Sequence, residues 1–301
     1  MTQPFRNSDG GRIDRGQRLN FTFDGQSYTG NAGDTLASAL LANGVRLVGR
    51  SFKYHRPRGI VSAGAEEPNA LMQLGEGAVT EPNTRATQIE LFEGLVAESQ
   101  NRWPSANLDV GAVNNLLSKI FPAGFYYKTF MWPPKAWMFY EKIIRSAAGL
   151  GKAPTEPDPD VYEKRRTHCD VLVVGAGPAG LAAAHAAASS GARVILADEQ
   201  PELGGSLLSS RAMIDGEPAG EWIASMRAEL AAMPEVRVLA RTTVAGYYDH
   251  NFLVVAERLT DHLPFGERSG PRQRLWKIRA RQVVLETGAI ERPLVFAEND
   301  R

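Results

Sequence analysis

Six residues constrain this chain more than any others: Gly175-Ala176-Gly177-Pro178-Ala179-Gly180, set between the apolar run 171–174 and the alanine-rich stretch 181–190. A buried strand, a tight turn and a helix are the only economical reading of that order. Gly175 permits the turn, Gly177 lets backbone approach a pyrophosphate, and Gly180 lets the helix pack close to the strand. The helix start supplies N–H donors and a partial positive charge. A second apolar run, 193–197, ends at Asp198-Glu199, and Glu199 lies 19 residues beyond Gly180. An acid there accepts hydrogen bonds from an adenosine ribose and repels a 2′-phosphate. No Arg or Lys stands between Glu199 and Gly204. The spacing predicts a Rossmann dinucleotide-binding unit for NAD or FAD rather than NADP.

Composition removes other classes. With 43% hydrophobic and 23% charged residues the chain is neither disordered nor a membrane protein. Lys+Arg and Asp+Glu both number 34, so no bulk charge calls for nucleic acid or anionic lipid. Residues 1–60 hold nine Lys/Arg against four Asp, a local patch of +5. Cys169 is the single cysteine. It leaves no intrachain disulfide, no Cys-only zinc site and no Cys-ligated iron–sulfur cluster made by this chain alone. The first residues have no apolar core and are no signal peptide. We expect a soluble, cytoplasmic chain.

The order of elements suggests an α/β chain in which a small α+β domain precedes the Rossmann unit. Residues 1–17 are polar and read as a flexible arm. Strands at 19–23 and 27–30 flank Asp24-Gly25, a hairpin-turn dipeptide. Asp34 or Thr35 caps an amphipathic run ending at Gly44. Hairpin, helix, loop and further strands give a β-grasp domain over 18–100. Residues 101–165 form an aromatic-rich linker, with nine of the chain's 25 aromatics in 121–140. Such surface is costly to leave in water; it either packs on neighbouring domains or docks on another subunit. Residues 166–301 carry the Rossmann domain, with helices at 181–190 and 221–232. A β-meander follows at 243–248, 252–258 and 275–279, and a strand at 283–285 leads into Thr287-Gly288-Ala289.

The segment Glu199-Gln200-Pro201-Glu202-Leu203-Gly204-Gly205 resembles the acid–x–x–x–Leu–Gly–Gly signature of the two-dinucleotide-fold flavoprotein superfamily. Thr287-Gly288-Ala289 with Glu291-Arg292-Pro293 resembles its later turn over the ADP moiety. Residues 18–75 are similar to β-grasp ferredoxin domains that hold a [2Fe–2S] cluster, yet the matching stretch 50–65 has no cysteine, so we expect no cluster. Together with the motifs SFKYHRPRG and FYYKTFMWPPKAW, the whole chain resembles the N-terminal third of the alpha subunits of heterotetrameric sarcosine oxidases.

That resemblance implies an oxidoreductase subunit. The complex oxidatively demethylates sarcosine with O₂, giving glycine, hydrogen peroxide and a one-carbon unit passed to tetrahydrofolate in a C-terminal region. FAD in the beta subunit oxidises sarcosine bound there, FMN lies near the alpha–beta interface, and gamma and delta subunits complete the assembly. The alpha-subunit Rossmann site binds NAD. Carried over by position, Gly175, Gly177, Pro178, Ala179 and Gly180 face the pyrophosphate. Asp198, Glu199 and Gln200 hold the ribose region, Gly205 and Ser206 lie near the phosphates, Val244 near the adenine, and Thr287 and Gly288 close over the ADP. The end at Arg301, soon after that turn, leads us to expect a longer chain. Two alternatives stay open: an FAD-binding subunit of an amine, opine or cyanide-forming amino-acid oxidase, and a non-catalytic dinucleotide-binding scaffold.

No residue reads as a catalytic acid, base or metal ligand. His55 with Arg50, Lys53, Arg56 and Arg58 reads as a basic face or as ion pairs to a neighbour. His168 and Cys169 are adjacent on a strand and point apart. His185 reads as a helix-surface residue, and His250 and His262 lack metal-ligand spacing. Asp158 and Asp160 read as a solvated kink.

Overall fold

The computed structural model describes residues 3–116, 118–119, 132–147, 151–290, 294 and 296. They fall in two compact units, Met1–Pro159 with Glu291–Arg301, and Asp160–Ile290.

The first unit is built on a hairpin. β1 (Asp14–Phe23) and β2 (Gln26–Ala32) pair antiparallel around Asp24-Gly25, whose positive φ angles of 50° and 76° make the tight turn. α1 (Leu36–Ala42) follows, with Thr35 and Ser38 forming a reciprocal capping box. Gly44 ends it at φ 81°. A short pair, β3 (Gly49–Arg50) with β4 (Pro57–Arg58), brackets the basic loop. β5 (Leu71–Leu74), β6 (Glu81–Arg85) and β7 (Leu95–Ser99) complete a five-stranded sheet in the order β2-β1-β7-β5-β6. Phe21, Leu36, Leu40, Met72 and Leu95 are buried between sheet and helix, the core of a β-grasp fold.

The expected flexible arm is instead tied down. Strand β1 begins at Asp14, and Arg6 clasps Asp34 with both guanidinium arms, at 2.8 and 2.6 Å. The Asp34 side chain is fully buried and also accepts from Asn31 N–H and Ser38 Oγ. Asp34 therefore does not cap α1; it anchors the N-terminal residues. Replacing Arg6 by Met would leave a buried carboxylate without its cation. We expect a loss of about 3 kcal/mol, because removing one partner of a buried pair strands the other. Urea denaturation reads it, and a loss below about 1 kcal/mol would contradict this role for Arg6.

A second buried carboxylate organises the loop after β4. Glu67 is wholly buried, and its Oε2 accepts from Val61 N–H and Ser62 N–H at 2.8 Å each. Its Oε1 accepts from Asn69 N–H at 2.7 Å and Ala70 N–H at 3.2 Å. The basic loop is also engaged. His55 Nδ1 lies 2.6 Å from Asp109 Oδ2, Arg50 donates to the Ala106 carbonyl, and Arg56 donates to Asn115 Oδ1. α2 (Trp137–Ala147) is the other α-helix among the described residues of this unit. The aromatics expected at 121–130 lie outside the described residues.

The second unit opens with β8 (Tyr162–Val174), the glycine turn and α3 (Pro178–Ser189). β9 (Val194–Ala197), the small hairpin β10 (Met213–Ile214) and β11 (Glu217–Pro218), α4 (Ala219–Ala232) and β12 (Val236–Leu239) follow. β13 (Thr242–Tyr248), β14 (Phe252–Arg258) and β15 (Gln273–Leu285) finish a six-stranded sheet, ordered β12-β9-β8-β15-β14-β13. The strands β12, β9, β8 and β15 run parallel, β14 runs antiparallel to β15, and β13 antiparallel to β14. One face packs Val173, Leu181, Leu196 and Leu230 with the helices, while the other packs Leu172, Ile195, Leu253 and Trp276.

Two expectations change here. The strands expected at 275–279 and 283–285 are one continuous strand, because β15 pairs with β8 from Gln273↔Tyr162 to Leu285↔Val174. Asp160 is no solvated kink: its buried carboxylate accepts from Arg272 Nη1 at 2.9 Å. Among the described residues no helix is long and apolar enough to cross a membrane.

Candidate dinucleotide site

Three segments converge on the glycine turn at the carboxyl ends of β8 and β9. The turn is fixed by Gly175 N–H to the Ala197 carbonyl at 2.8 Å. Gly175 has φ +97°, and a Cβ there would sit 2.2 Å from the Glu286 carbonyl oxygen. At Gly180 an added Cβ would lie 1.9 Å from the Gly175 oxygen. Gly177 differs, since a Cβ would meet nothing within 4 Å. Two of the glycines are thus demanded by packing, and the third keeps backbone bare beside open space. This is the cradle a pyrophosphate requires.

Gly177 is the N-cap of α3 and Pro178 its first residue. The first helical bond runs from Leu181 N–H to the Gly177 carbonyl. The amides of Ala179 and Gly180 therefore precede the ladder and add donors and positive dipole at the opening. Gly204 N–H bonds the Ala176 carbonyl at 2.8 Å, and a Cβ added at Gly205 would lie 2.9 Å from the Gly177 Cα. Gly205 begins the short 3₁₀ turn Gly205–Ser209, and Ser206 is its second residue. Thr287 and Gly288, the latter at φ 68°, leave β15 just beyond Glu286, whose N–H bonds the Val174 carbonyl.

The three residues after β9 divide their work. Asp198 is buried, and its carboxylate accepts from Ala176 N–H at 2.5 Å and Gln200 N–H at 2.8 Å. It ties the two turns together, so its side chain is already committed. Glu199 is half-buried, and among the described residues its carboxylate makes no hydrogen bond or ion pair. Val244 lies on the edge strand β13, two residues past Thr242, whose N–H bonds the Asp198 carbonyl; it packs on the apolar sheet face and pairs with Val255. Arg258, which sequence reasoning did not select, donates from Nη2 to the Glu199 carbonyl at 3.0 Å. Fifty-nine residues separate the two, and no local pattern announces the contact.

The remaining sequence candidates lie elsewhere. Cys169 is buried in β8, and burial, with the Asp170 charge second, pushes its thiol up to about 11. It is no nucleophile at neutral pH. His185 pairs with Glu229 at 2.7 Å across α3 and α4. No group of three or more His, Cys, Asp or Glu side chains suited to a metal occurs among the described residues.

A glycine cradle, a helix start and a free acid after the second strand define a dinucleotide-binding unit of the flavoprotein type, preceded by a ferredoxin-like β-grasp domain. Residues 170–259 match the family described as FAD dependent oxidoreductase, and residues 16–102 that described as 2Fe-2S iron-sulfur cluster binding domain. The chain is 59% identical over 292 residues to "Sarcosine oxidase subunit alpha" of Rhizobium meliloti (strain 1021), covering 97% of this chain and 30% of that relative. It is 43% identical over 297 residues to the protein of the same name in Corynebacterium sp. (strain U-96), covering 97% of this chain and 26% of the relative. Over nearly its whole length the chain is similar to sarcosine oxidase alpha subunits. That length is under a third of these relatives. The crystal structure of L-proline dehydrogenase from P. horikoshii aligns over 100% of this chain and 46% of its own, with TM-score 0.59 and 19% identity. It shares the fold.

These matches correct the cofactor expectation. The iron–sulfur domain family is positively indicated where its absence was expected, and nothing in the comparisons points to NAD. Residues 16–102 contain no cysteine. Within the matched residues the thiolate set of a Cys-ligated cluster is not present.

Proposed function

We propose that this chain binds the ADP half of a dinucleotide, as part of an oxidoreductase subunit of the sarcosine oxidase alpha type. The observation that carries the reading is the Gly177 cradle, open to solvent and joined to the Glu199 turn through Asp198. Backbone at Gly175–Gly180, with Gly205 and Ser206, holds the pyrophosphate. Glu199 accepts from the ribose hydroxyls, Thr287 and Gly288 close over the ADP, and Val244 lines the adenine end. FAD is the dinucleotide that the matching domain family names, and a flavin supplies two-electron oxidation of an amine.

The relatives' shared name supports oxidative demethylation of sarcosine by O₂ as the activity of the assembly. Glycine, hydrogen peroxide and a one-carbon unit for tetrahydrofolate are its products. The designation "subunit alpha" supports a multi-subunit complex; beta, gamma and delta partners, sarcosine bound on a partner and residues 101–165 as a docking linker belong to the same proposal.

The test is to denature the purified full-length protein and identify the released nucleotide by mass, beside Glu199→Ala. We expect an adenine dinucleotide from the wild type and at least a tenfold loss in the variant, as two hydrogen bonds to a carboxylate disappear. Equal retention by both proteins would remove Glu199 from the site, and no nucleotide in either would overturn the reading.

A further inference from the structure

The three successive carbonyls after β9 are all held by one hairpin. Thr242 N–H donates to the Asp198 carbonyl at 2.7 Å, and Arg241 N–H to the Gln200 carbonyl at 2.9 Å. Arg258 Nη2 donates to the carbonyl between them, Glu199, at 3.0 Å. Arg258 N–H in turn bonds the Arg241 carbonyl at 3.0 Å, closing the base of the β13–β14 hairpin. From the opposite side the Asp198 carboxylate holds Ala176 N–H and Gln200 N–H. The backbone carrying Glu199 is thus clamped between the phosphate turn and the hairpin, while the Glu199 carboxylate itself has no partner among the described residues.

Of the three hairpin contacts only one comes from a side chain. Resting on the function proposed above, we infer that Arg258 is a positioning residue for ribose recognition, acting through the Glu199 backbone. A carboxylate reaching two vicinal hydroxyls gains both bonds only if its Cα is held to a fraction of an ångström. A flexible Glu199 would lose that gain and leave phosphate binding at the glycine turn intact. The effect is on discrimination at the ribose, not on affinity in general.

The experiment first strips the retained nucleotide from the full-length protein, then measures its dissociation constants for ADP and 2′-deoxy-ADP, in the wild type, Arg258→Met, Arg258→Lys and Glu199→Gln. The wild type is expected to prefer ADP by about tenfold, the worth of one charge-assisted hydrogen bond. Arg258→Met should cut that preference to about twofold while binding 2′-deoxy-ADP nearly as before. Arg258→Lys, which keeps a donor, should restore most of it. Should Arg258→Met fail to fold, Arg258→Gln carries the same comparison. An Arg258 variant that weakens both ligands equally, or neither, overturns the positioning role while the site stands. A wild type that binds neither ligand, or binds both alike, overturns the ribose reading itself, and this inference with it.

Discussion

Gly180→Ala is expected to cost the second unit more than about 4 kcal/mol and to eliminate nucleotide retention. The new methyl would sit 1.9 Å from the Gly175 carbonyl oxygen and 2.9 Å from its carbon. Both obstacles are backbone, so no rotamer change relieves the overlap; α3 must lift from β8, or the Gly175 turn must reopen. Reopening that turn breaks the Gly175 N–H bond to the Ala197 carbonyl, and Gly175 is itself confined by φ +97°. Overpacking that side chains absorb costs about 1–3 kcal/mol, and here backbone has to yield. Gly177→Ala is the matched control. Its site is open and its φ is −67°, so the fold should persist with a change below about 1 kcal/mol. Thermal melts compare the two variants. A Gly180→Ala protein that melts within a few degrees of wild type would refute the close-packed turn.

Glu67→Ala is expected to destabilise the first unit by about 3–5 kcal/mol. Four backbone amides converge on its carboxylate, and none of them has water as a ready substitute, since the side chain is wholly buried. Stranding buried donors costs about 1–3 kcal/mol each before relaxation, and a collapsing loop recovers part of it. Hydrogen exchange at Val61, Ser62, Asn69 and Ala70 should rise together, because one side chain protects all four. Independent exchange at the four amides would mean that the loop is held by something other than Glu67. The Gly64 carbonyl, which accepts from Thr87 Oγ1 and from Glu67 N–H, marks the adjoining contact to monitor.

Much of the scaffold was legible because local rules act there. Asp24-Gly25 makes its hairpin through left-handed residues, Thr35 caps α1, and the run 252–258 coincides with β14. The glycine turn was legible for the same reason: strand, turn and helix are neighbours in sequence. The strand β12 was missed although Val236-Arg237-Val238-Leu239 alternates, since four residues beside a helix end are a weak signal. The length of β15 escaped too, because Arg279, Arg281 and Gln282 look like a break until β8 is seen to pair alongside them.

By itself the amino-acid sequence determined many of the elements, the glycine positions and the acid after β9, all consequences of φ limits and hydrophobic period within a few residues. It also carried the resemblance to sarcosine oxidase alpha subunits, through motifs spread over both units. Only the tertiary structure decided how similar side chains divide their roles. Asp34 takes Arg6, Glu67 takes four amides, and Asp198 takes the glycine turn, while Glu199 next to it stays open. A carboxylate's part depends on which donors reach it, and those donors come from 22 residues away at Ala176, 28 at Arg6 and 59 between Arg258 and the Glu199 carbonyl. No periodicity encodes separations of that kind; packing the sheet and its hairpin brings them together.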